Sequence, residues 1–253
     1  MPDAPIVSIV VATYNRLERL KRCIASIRTN VRIAHEVVVV GGAARDGTTE
    51  WCRDQSDIVF IEETTREGAT KAYNKGFRAA RGQYAMWLND DAAALPGSIE
   101  AAVRMIERAD FADVGMVAFY HNFNRTRNRL DTILHNGEEF SIYNVRGYAY
   151  ANFGLLRRDL LERLGYLDER YYFSAWDPDL SLKVQLDAGL KVIGCREALI
   201  DHEELHDERK TADLPALDRD NELLFAKWNL PARNSYPDPA PAYQQLIRAR
   251  LKL

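Results

Sequence analysis

Residues 84–88 form an apolar run that stops abruptly at Asn89, Asp90 and Asp91, an amide followed by two carboxylates. A short apolar run bounded by polar residues predicts a buried strand of a parallel sheet. Ligands of open α/β sheets bind outside the carboxyl ends of such strands. Adjacent hard-oxygen side chains there suit a divalent cation carrying phosphates, because Mg²⁺ is typically held by one or two carboxylates while substrate phosphates and water complete its shell. A polar turn closing the strand explains the same residues without chemistry.

A second cluster, Trp176, Asp177, Pro178, Asp179 and Leu180, sets two carboxylates around a proline where a helix is expected to start. Asp just before a Pro at the first helical position is the ordinary N-cap arrangement; the chemical alternative for Asp177 is a general base. A helix N-terminus favours the ionised carboxylate and so weakens it as a base. A positioned weak base can still take a hydroxyl proton late in a displacement, once that proton has become acidic. The third cluster is Asp201, His202, Glu203, Glu204, Leu205 and His206, just after an apolar strand end at 198–200. Two histidines four apart could share a helix face and bind a transition metal, but no suitable helix is evident. A single functional histidine, His202, is the stronger reading, set against surface histidines in an acidic loop.

Thr13, Tyr14 and Asn15, then Asp46, Asn74 and the Asp90–Asp91 pair, all fall at or just after expected strand ends or in the helix that follows. Together they can converge on one pocket with carboxylates and amides for base and ribose recognition and a metal for a diphosphate. That is a nucleotide site without a P-loop, since neither G-x-G-x-x-G nor G-x-x-x-x-G-K-[ST] occurs. Each residue taken singly has a local explanation: Asp46-Gly47 as a turn pair, Asn74 as an exposed helix residue, Thr13 to Asn15 as a cap of the first helix. Their shared location carries the functional reading.

The elements that must position these groups alternate. Residues 6–12 are β-branched and apolar, as for a strand covered on both faces. Leu17, Leu20, Ile24 and Ile27 then recur at helical spacing. Further strands are predicted over 36–40, 58–61 and 84–88, with glycine-marked loops at 41–48 and Gly68 and a helix over 69–80 between them. This alternation indicates a right-handed, doubly wound α/β sheet. Beyond it the pattern predicts a helix over 97–109, a strand over 115–120 and an aperiodic polar stretch to Glu139, read as a long loop or hairpin of the kind that often covers a site. A strand at Leu155 and Leu156, a short helix over 158–164, a helix from Asp177 to Ala188 closed by Gly189, a strand over 190–193 and a helix over 217–228 follow. The tail carries Pro231, Pro237, Pro239 and Pro241 and ends in a small basic amphipathic stretch, with no internal repeat and no interdomain linker.

Thirty-four Lys plus Arg against 37 Asp plus Glu give a net charge of −3, which argues against nucleic acid as a partner. Cys23, Cys52 and Cys195 are odd in number and in no metal-binding spacing, as in a reducing compartment. The N-terminal residues lack a charged leader with an apolar core, and no segment approaches the roughly 18 consecutive apolar residues of a membrane span. A soluble, cytoplasmic protein is the expectation.

Taken together and in order, the run 7–16, Asp46-Gly47-Thr48, Gly68 with Asn74 and Gly76, residues 80–84, Leu88 to Asp91, residues 165–169 and the cluster 176–180 resemble the family 2 glycosyltransferases with a GT-A fold. The resemblance runs over residues 7–228. It implies a Rossmann-like doubly wound mixed sheet flanked by helices, in a single domain over 1–230. The nucleotide-sugar half would be 1–110 and the acceptor half 111–230, with a Pro-rich extension over 231–253. It also implies that Asn89-Asp90-Asp91 is the motif for Mg²⁺ or Mn²⁺, with Asp91 as metal ligand and His202 near the metal or diphosphate. Thr13, Tyr14, Asn15, Arg16, Asp46, Asn74, Asn89 and Asp90 would bind the donor, and Asp177 would be the acceptor-activating base.

Three positions depart from the pattern. Gly41 stands where an Asp usually contacts the nucleobase, Asn89 replaces the first Asp of the metal motif, and Trp176 takes the Glu position beside the base, which makes the surroundings of Asp177 more apolar. None of these removes Asp91 or Asp177. The activity implied is inverting transfer of a hexosyl or deoxyhexosyl group from a UDP-, dTDP- or GDP-linked donor to a hydroxyl of a saccharide or glycolipid acceptor. Its setting would be bacterial surface polysaccharide assembly. Residues 119–150, with Arg125, Arg127, Arg129, Tyr143 and Tyr148, would shape the acceptor site, unless the arginines are simply a solvated loop. The C-terminal residues 243–253 are candidates for peripheral contact with the inner face of the membrane, or for a homodimer. The rivals are a non-catalytic sugar-nucleotide or glycan-binding module on the same scaffold and a nucleotidyltransferase, which would carry a basic Gly-rich phosphate loop that this chain lacks.

Overall fold

The β-branched run near the N-terminus forms β1 (Val7–Thr13), buried on both faces at the centre of the sheet. The computed structural model describes residues 4–122, 127–203, 208–232 and 235–251, with backbone alone at 209 and 210. After β1 come α1 (Leu17–Asn30), which buries Leu20, Cys23, Ile24 and Ile27, then β2 (His35–Gly42), α2 (Thr48–Arg53), β3 (Ile58–Glu63), α3 (Ala69–Ala79) and β4 (Tyr84–Asn89). β1 pairs in parallel with both β2 and β4, and β2 with β3, so the first half is the expected parallel α/β unit. The carboxyl ends of β1 and β4 lie side by side, with Ala12 opposite Asn89.

The second half comprises β5 (Ala92–Ala94), α4 (Ser98–Glu107), β6 (Val114–His121), β7 (Arg129–His135), β8 (Glu138–Val145), β9 (Tyr148–Tyr150), β10 (Gly154–Arg157), α5 (Arg158–Arg163), α6 (Trp176–Leu182), β11 (Lys191–His202), α7 (Glu208–Trp228) and α8 (Ala240–Leu251). The strand order is β3-β2-β1-β4-β10-β6-β11-β5. β10 is antiparallel to both β4 and β6, which makes the sheet mixed. The β7-β8-β9 meander joins it through His121 of β6 opposite Ser141 of β8.

Several elements differ from their sequence expectation, each for a local reason. Of the two readings of the stretch to Glu139, the hairpin holds for its described part from Arg129: Asn136 (φ 50°) and Gly137 (φ 84°) turn β7 into β8, the Asn-Gly pair that favours such turns. β11 is one strand rather than a short strand and a separate apolar end, because the polar pair Arg196-Glu197 falls in an irregularity between Cys195 and Leu199 that interrupts the alternation. The helix expected over 217–228 starts at Glu208 and carries Pro215 inside it. The helix expected to Ala188 is α6 followed by a π-helical turn, Lys183–Asp187. α6 begins at Trp176 after Ala175 in the left-handed region (φ 64°), and no side chain caps it. Asp177 is therefore inside the first turn and is not the N-cap.

The Pro-rich tail leads into α8, which buries Tyr243 and Ile247 against the same chain. The amide of Gly194 donates to the Tyr243 hydroxyl at 2.6 Å, and Arg250 pairs with Asp113 at 2.6 Å. Tyr243 and Ile247, two of the apolar residues of that stretch, are thus covered by the same chain, while Leu246 and Leu251 are half-buried. Among the described residues, no helix is long and apolar enough to cross a membrane. The three cysteines are buried free thiols.

Candidate active site

A pocket of about 540 Å³ opens at the carboxyl ends of β1 and β4. Thr13, Tyr14 and Arg16 reach it from β1, Asn89, Asp90 and Asp91 from β4, Asp177 from α6 and His202 from β11. At the end of β4 the two carboxylates have different surroundings. Asp90, 2 % exposed, accepts hydrogen bonds from the Thr13 hydroxyl at 3.0 Å and from Arg16 at 3.1 Å. Asp91 accepts from the same Arg16 Nη1 at 2.8 Å, and its other oxygen lies 3.4 Å from His202 Nε2. His202 Nε2 is also 3.5 Å from Asn89 Nδ2, and the Tyr73 hydroxyl lies 2.9 Å from Asn89 Oδ1. Asn89, Asp91 and His202 thus converge, while Asp90 ties β4 to the loop after β1. Burial and then the negative charge of Asp90 and Asp91 push the thiol of Cys23, beneath them on α1, well up from its ordinary range.

Asp177 lines the same pocket, and its Oδ2 accepts from Asn152 Nδ2 at 3.0 Å. Trp176, in the position where relatives carry Glu, is 6 % exposed and packs on Tyr73 (centroids 4.7 Å apart) and Trp87 (5.5 Å). Asp179 is wholly buried and accepts from Tyr171, Lys227 and Trp228, so the other carboxylate of that cluster fastens α6 to the end of α7. The loop before α6 is held from α7 as well: Asp220, wholly buried, accepts the backbone N–H groups of Tyr172, Phe173 and Ser174 at 3.1, 2.8 and 3.0 Å.

Asn15, Asp46 and Asn74 do not line the pocket. Asn15 accepts the Arg45 amide at 2.7 Å. Asp46 accepts the amides of Leu17 and Thr48 and the Thr48 hydroxyl, joining the starts of α1 and α2. Burial works to raise its carboxyl, but these donors outweigh it and hold the group below the usual range. Asn74 is wholly buried, exchanges hydrogen bonds with both backbone groups of Leu167 and donates to Glu169, which ties α3 to the segment leading to α6. The pocket stripe of α3 is instead Ala69, Ala72 and Tyr73, one face of the helix, so reading Asn74 picked the neighbouring face.

Gly41 leaves no room for the nucleobase-binding carboxylate of relatives: a Cβ there would stand 2.7 Å from the Thr13 carbonyl oxygen. A carboxylate does reach the pocket one strand over, on Glu63, paired with Lys75 at 2.7 Å. Arg66 lies over the rings of Tyr14 (4.8 Å) and Tyr172 (5.8 Å) and pairs with Asp213 of α7. Of the residues expected to shape the acceptor side, Arg129 pairs with Glu139 at 2.6 Å, Tyr143 is buried, and Arg127 and Tyr148 do not line the pocket. Arg125, Glu204 and His206 lie outside the described residues. Asn144 and Tyr150 line that side instead, together with the α7 residues Leu214, Leu217, Asn221, Leu224 and Phe225. Asn152 and Asp220 also went unread, because a lone amide before a strand and a carboxylate inside a helix have no motif spacing.

The family model described as Glycosyl transferase family 2 matches residues 8–165. The glycosyltransferase YwdF of Bacillus subtilis is 29 % identical over 220 residues, covering 83 % of this chain and 79 % of that protein. Among solved structures, the mannosyltransferase PcManGT of Pyrobaculum calidifontis, in complex with GDP-Man and Mn²⁺, superposes with a TM-score of 0.68 at 21 % identity over 98 % of this chain and 70 % of its own. S. aureus TarS 1–349 in complex with UDP-GlcNAc gives 0.61 at 17 % over 97 % and 71 %.

Proposed function

The chain belongs to glycosyl transferase family 2, a glycosyltransferase with the GT-A fold, and from that premise we propose that it is an inverting enzyme. It would transfer a sugar from a nucleotide diphosphate donor to a hydroxyl of a saccharide or glycolipid acceptor. The observation that carries this reading is that Asp177 lines the same pocket as Asn89, Asp91 and His202. Asp177 takes the proton of the acceptor hydroxyl as its oxygen bonds to the anomeric carbon. The bond from that carbon to the diphosphate oxygen breaks on the opposite face, and the diphosphate leaves with the electron pair.

The donor set suits Mg²⁺ or Mn²⁺, a carboxylate from Asp91, an imidazole from His202 and the amide of Asn89 beside them. Among the described residues there is no group of three or more His, Cys, Asp or Glu able to hold an ion alone, so the diphosphate would complete the shell. When bound, such an ion supplies Lewis-acid stabilisation of the departing diphosphate. Arg16 orients Asp91 through its hydrogen bond. Tyr14 and Arg66 offer a flat cationic and aromatic surface for the nucleoside. The donors bound in the solved neighbours, GDP-Man and UDP-GlcNAc, support a nucleotide sugar for this chain.

The non-catalytic alternative rested on Gly41, Asn89 and Trp176. Gly41 is explained by lack of space and Trp176 by packing on Tyr73 and Trp87, so neither requires loss of activity. A panel of nucleotide sugars assayed with Mn²⁺ or Mg²⁺ tests the proposal. One donor should turn over, with Asp177→Asn lowering kcat by about 10²–10⁴-fold and Asp91→Ala abolishing metal-stimulated turnover. Donor binding by calorimetry without turnover, unchanged by Asp177→Asn, would overturn it.

A further inference from the structure

We propose that Asn152 and His121 form a positioning relay that holds Asp177 ionised and aimed, an inference that rests on Asp177 being the base. Asp177 Oδ2 accepts from Asn152 Nδ2 at 3.0 Å, and Asn152 Oδ1 faces His121 Nε2 at 3.0 Å. An ionised carboxylate can only accept, so the NH₂ group of Asn152 must face Asp177 and its carbonyl must face the imidazole. His121 Nε2 therefore carries a proton and donates it to Asn152 Oδ1. The imidazole sets which way the amide points, and the amide sets the carboxylate.

The relay is mounted rigidly. His121, the last residue of β6, is 2 % exposed and packs edge-on to Phe153 and His202, with centroids 5.4 and 5.7 Å away, and against the Tyr143 ring at 5.2 Å. The Asn152 carbonyl accepts Trp87 Nε1 at 2.7 Å, the Ala151 amide donates to the Ser181 hydroxyl at 3.2 Å, and the Phe119 amide donates to the Phe153 carbonyl at 3.0 Å. The backbone on both sides of Asn152 is thus pinned to β4, α6 and β6. The amide is partly buried, and both ends of its side chain are hydrogen-bonded, the nitrogen to Asp177 and the oxygen to His121. A hydrogen bond given to the charged form of a carboxylate lowers its proton affinity. Removing it should therefore move the acid limb of kcat/KM to higher pH.

The test uses the full-length protein with its preferred donor. His121→Phe keeps the ring volume and removes the donor; it should lower kcat about tenfold, the equivalent of one hydrogen bond, with donor KM unchanged and the acid limb displaced upward. His121→Gln can again donate to Asn152 and should restore most of kcat and the native limb. Asn152→Leu should reproduce His121→Phe, and donor affinity by calorimetry separates a folded, misaimed enzyme from an unfolded one. If Asp177→Asn abolishes turnover while Asn152→Leu and His121→Phe keep the native kcat and pH profile, the relay is wrong and the base stands. If Asp177→Asn turns over normally, the base reading fails and the relay with it.

Discussion

Gly41 shows at the scale of one residue how a missing side chain can be a requirement. Because a Cβ at this position would stand 2.7 Å from the Thr13 carbonyl and 2.8 Å from its methyl group, restoring the family carboxylate with Gly41→Asp should not improve donor recognition. It should cost roughly 1–3 kcal/mol by overpacking and raise donor KM by displacing Thr13, as urea denaturation and steady-state kinetics would measure. The same scale explains what could be read in advance. Asp91 and His202 each stand at the end of an apolar run and Asp177 opens a helix, and all three line one pocket. Asp46 and Asn74 looked equivalent, but a carboxylate two residues before a threonine and an amide beside a tight segment are just as useful to backbone N–H and C=O groups, and there they are spent on structure.

At the scale of elements, the first half was legible because parallel strands covered on both faces leave continuous β-branched runs. β11 was not, since its irregularity puts two charged residues in mid-strand, and the hairpin was half-legible through Asn136-Gly137. α7 was underestimated in length and in role. It walls the pocket and also fastens the loop before α6, through Asp220 and the N–H groups of residues 172–174. Asp220→Ala leaves those partly buried donors without their acceptor and should cost about 1–3 kcal/mol. It should also lower kcat more than donor KM, because the loop leads directly into Asp177 on α6 and meets Arg66 at Tyr172. Equal losses in both would place the loop's influence on donor binding instead.

Across the whole molecule, several carboxyls are held below their ordinary range: Asp168 by Arg170 and Lys227, and Asp46 by donors that outweigh its burial. The unfolded chain therefore takes up protons first as pH falls. The stability these groups contribute is present above the usual carboxylate range and is lost progressively below about pH 4. Urea midpoints should hold between pH 5 and 7 and drop below that, and Lys227→Met should flatten the drop by removing one partner of Asp168. A steady midpoint down to pH 3 would contradict the assignment. The placement of α7 also bears on synthesis. A chain emerging from the ribosome completes Thr13, Arg66 and Asp91 long before Asp220 and Phe225, so these pocket residues of the first half are synthesised before the wall of α7 and the clamp on the loop before Asp177. On the roles proposed above, an activated sugar would meet its base only once this late helix has docked.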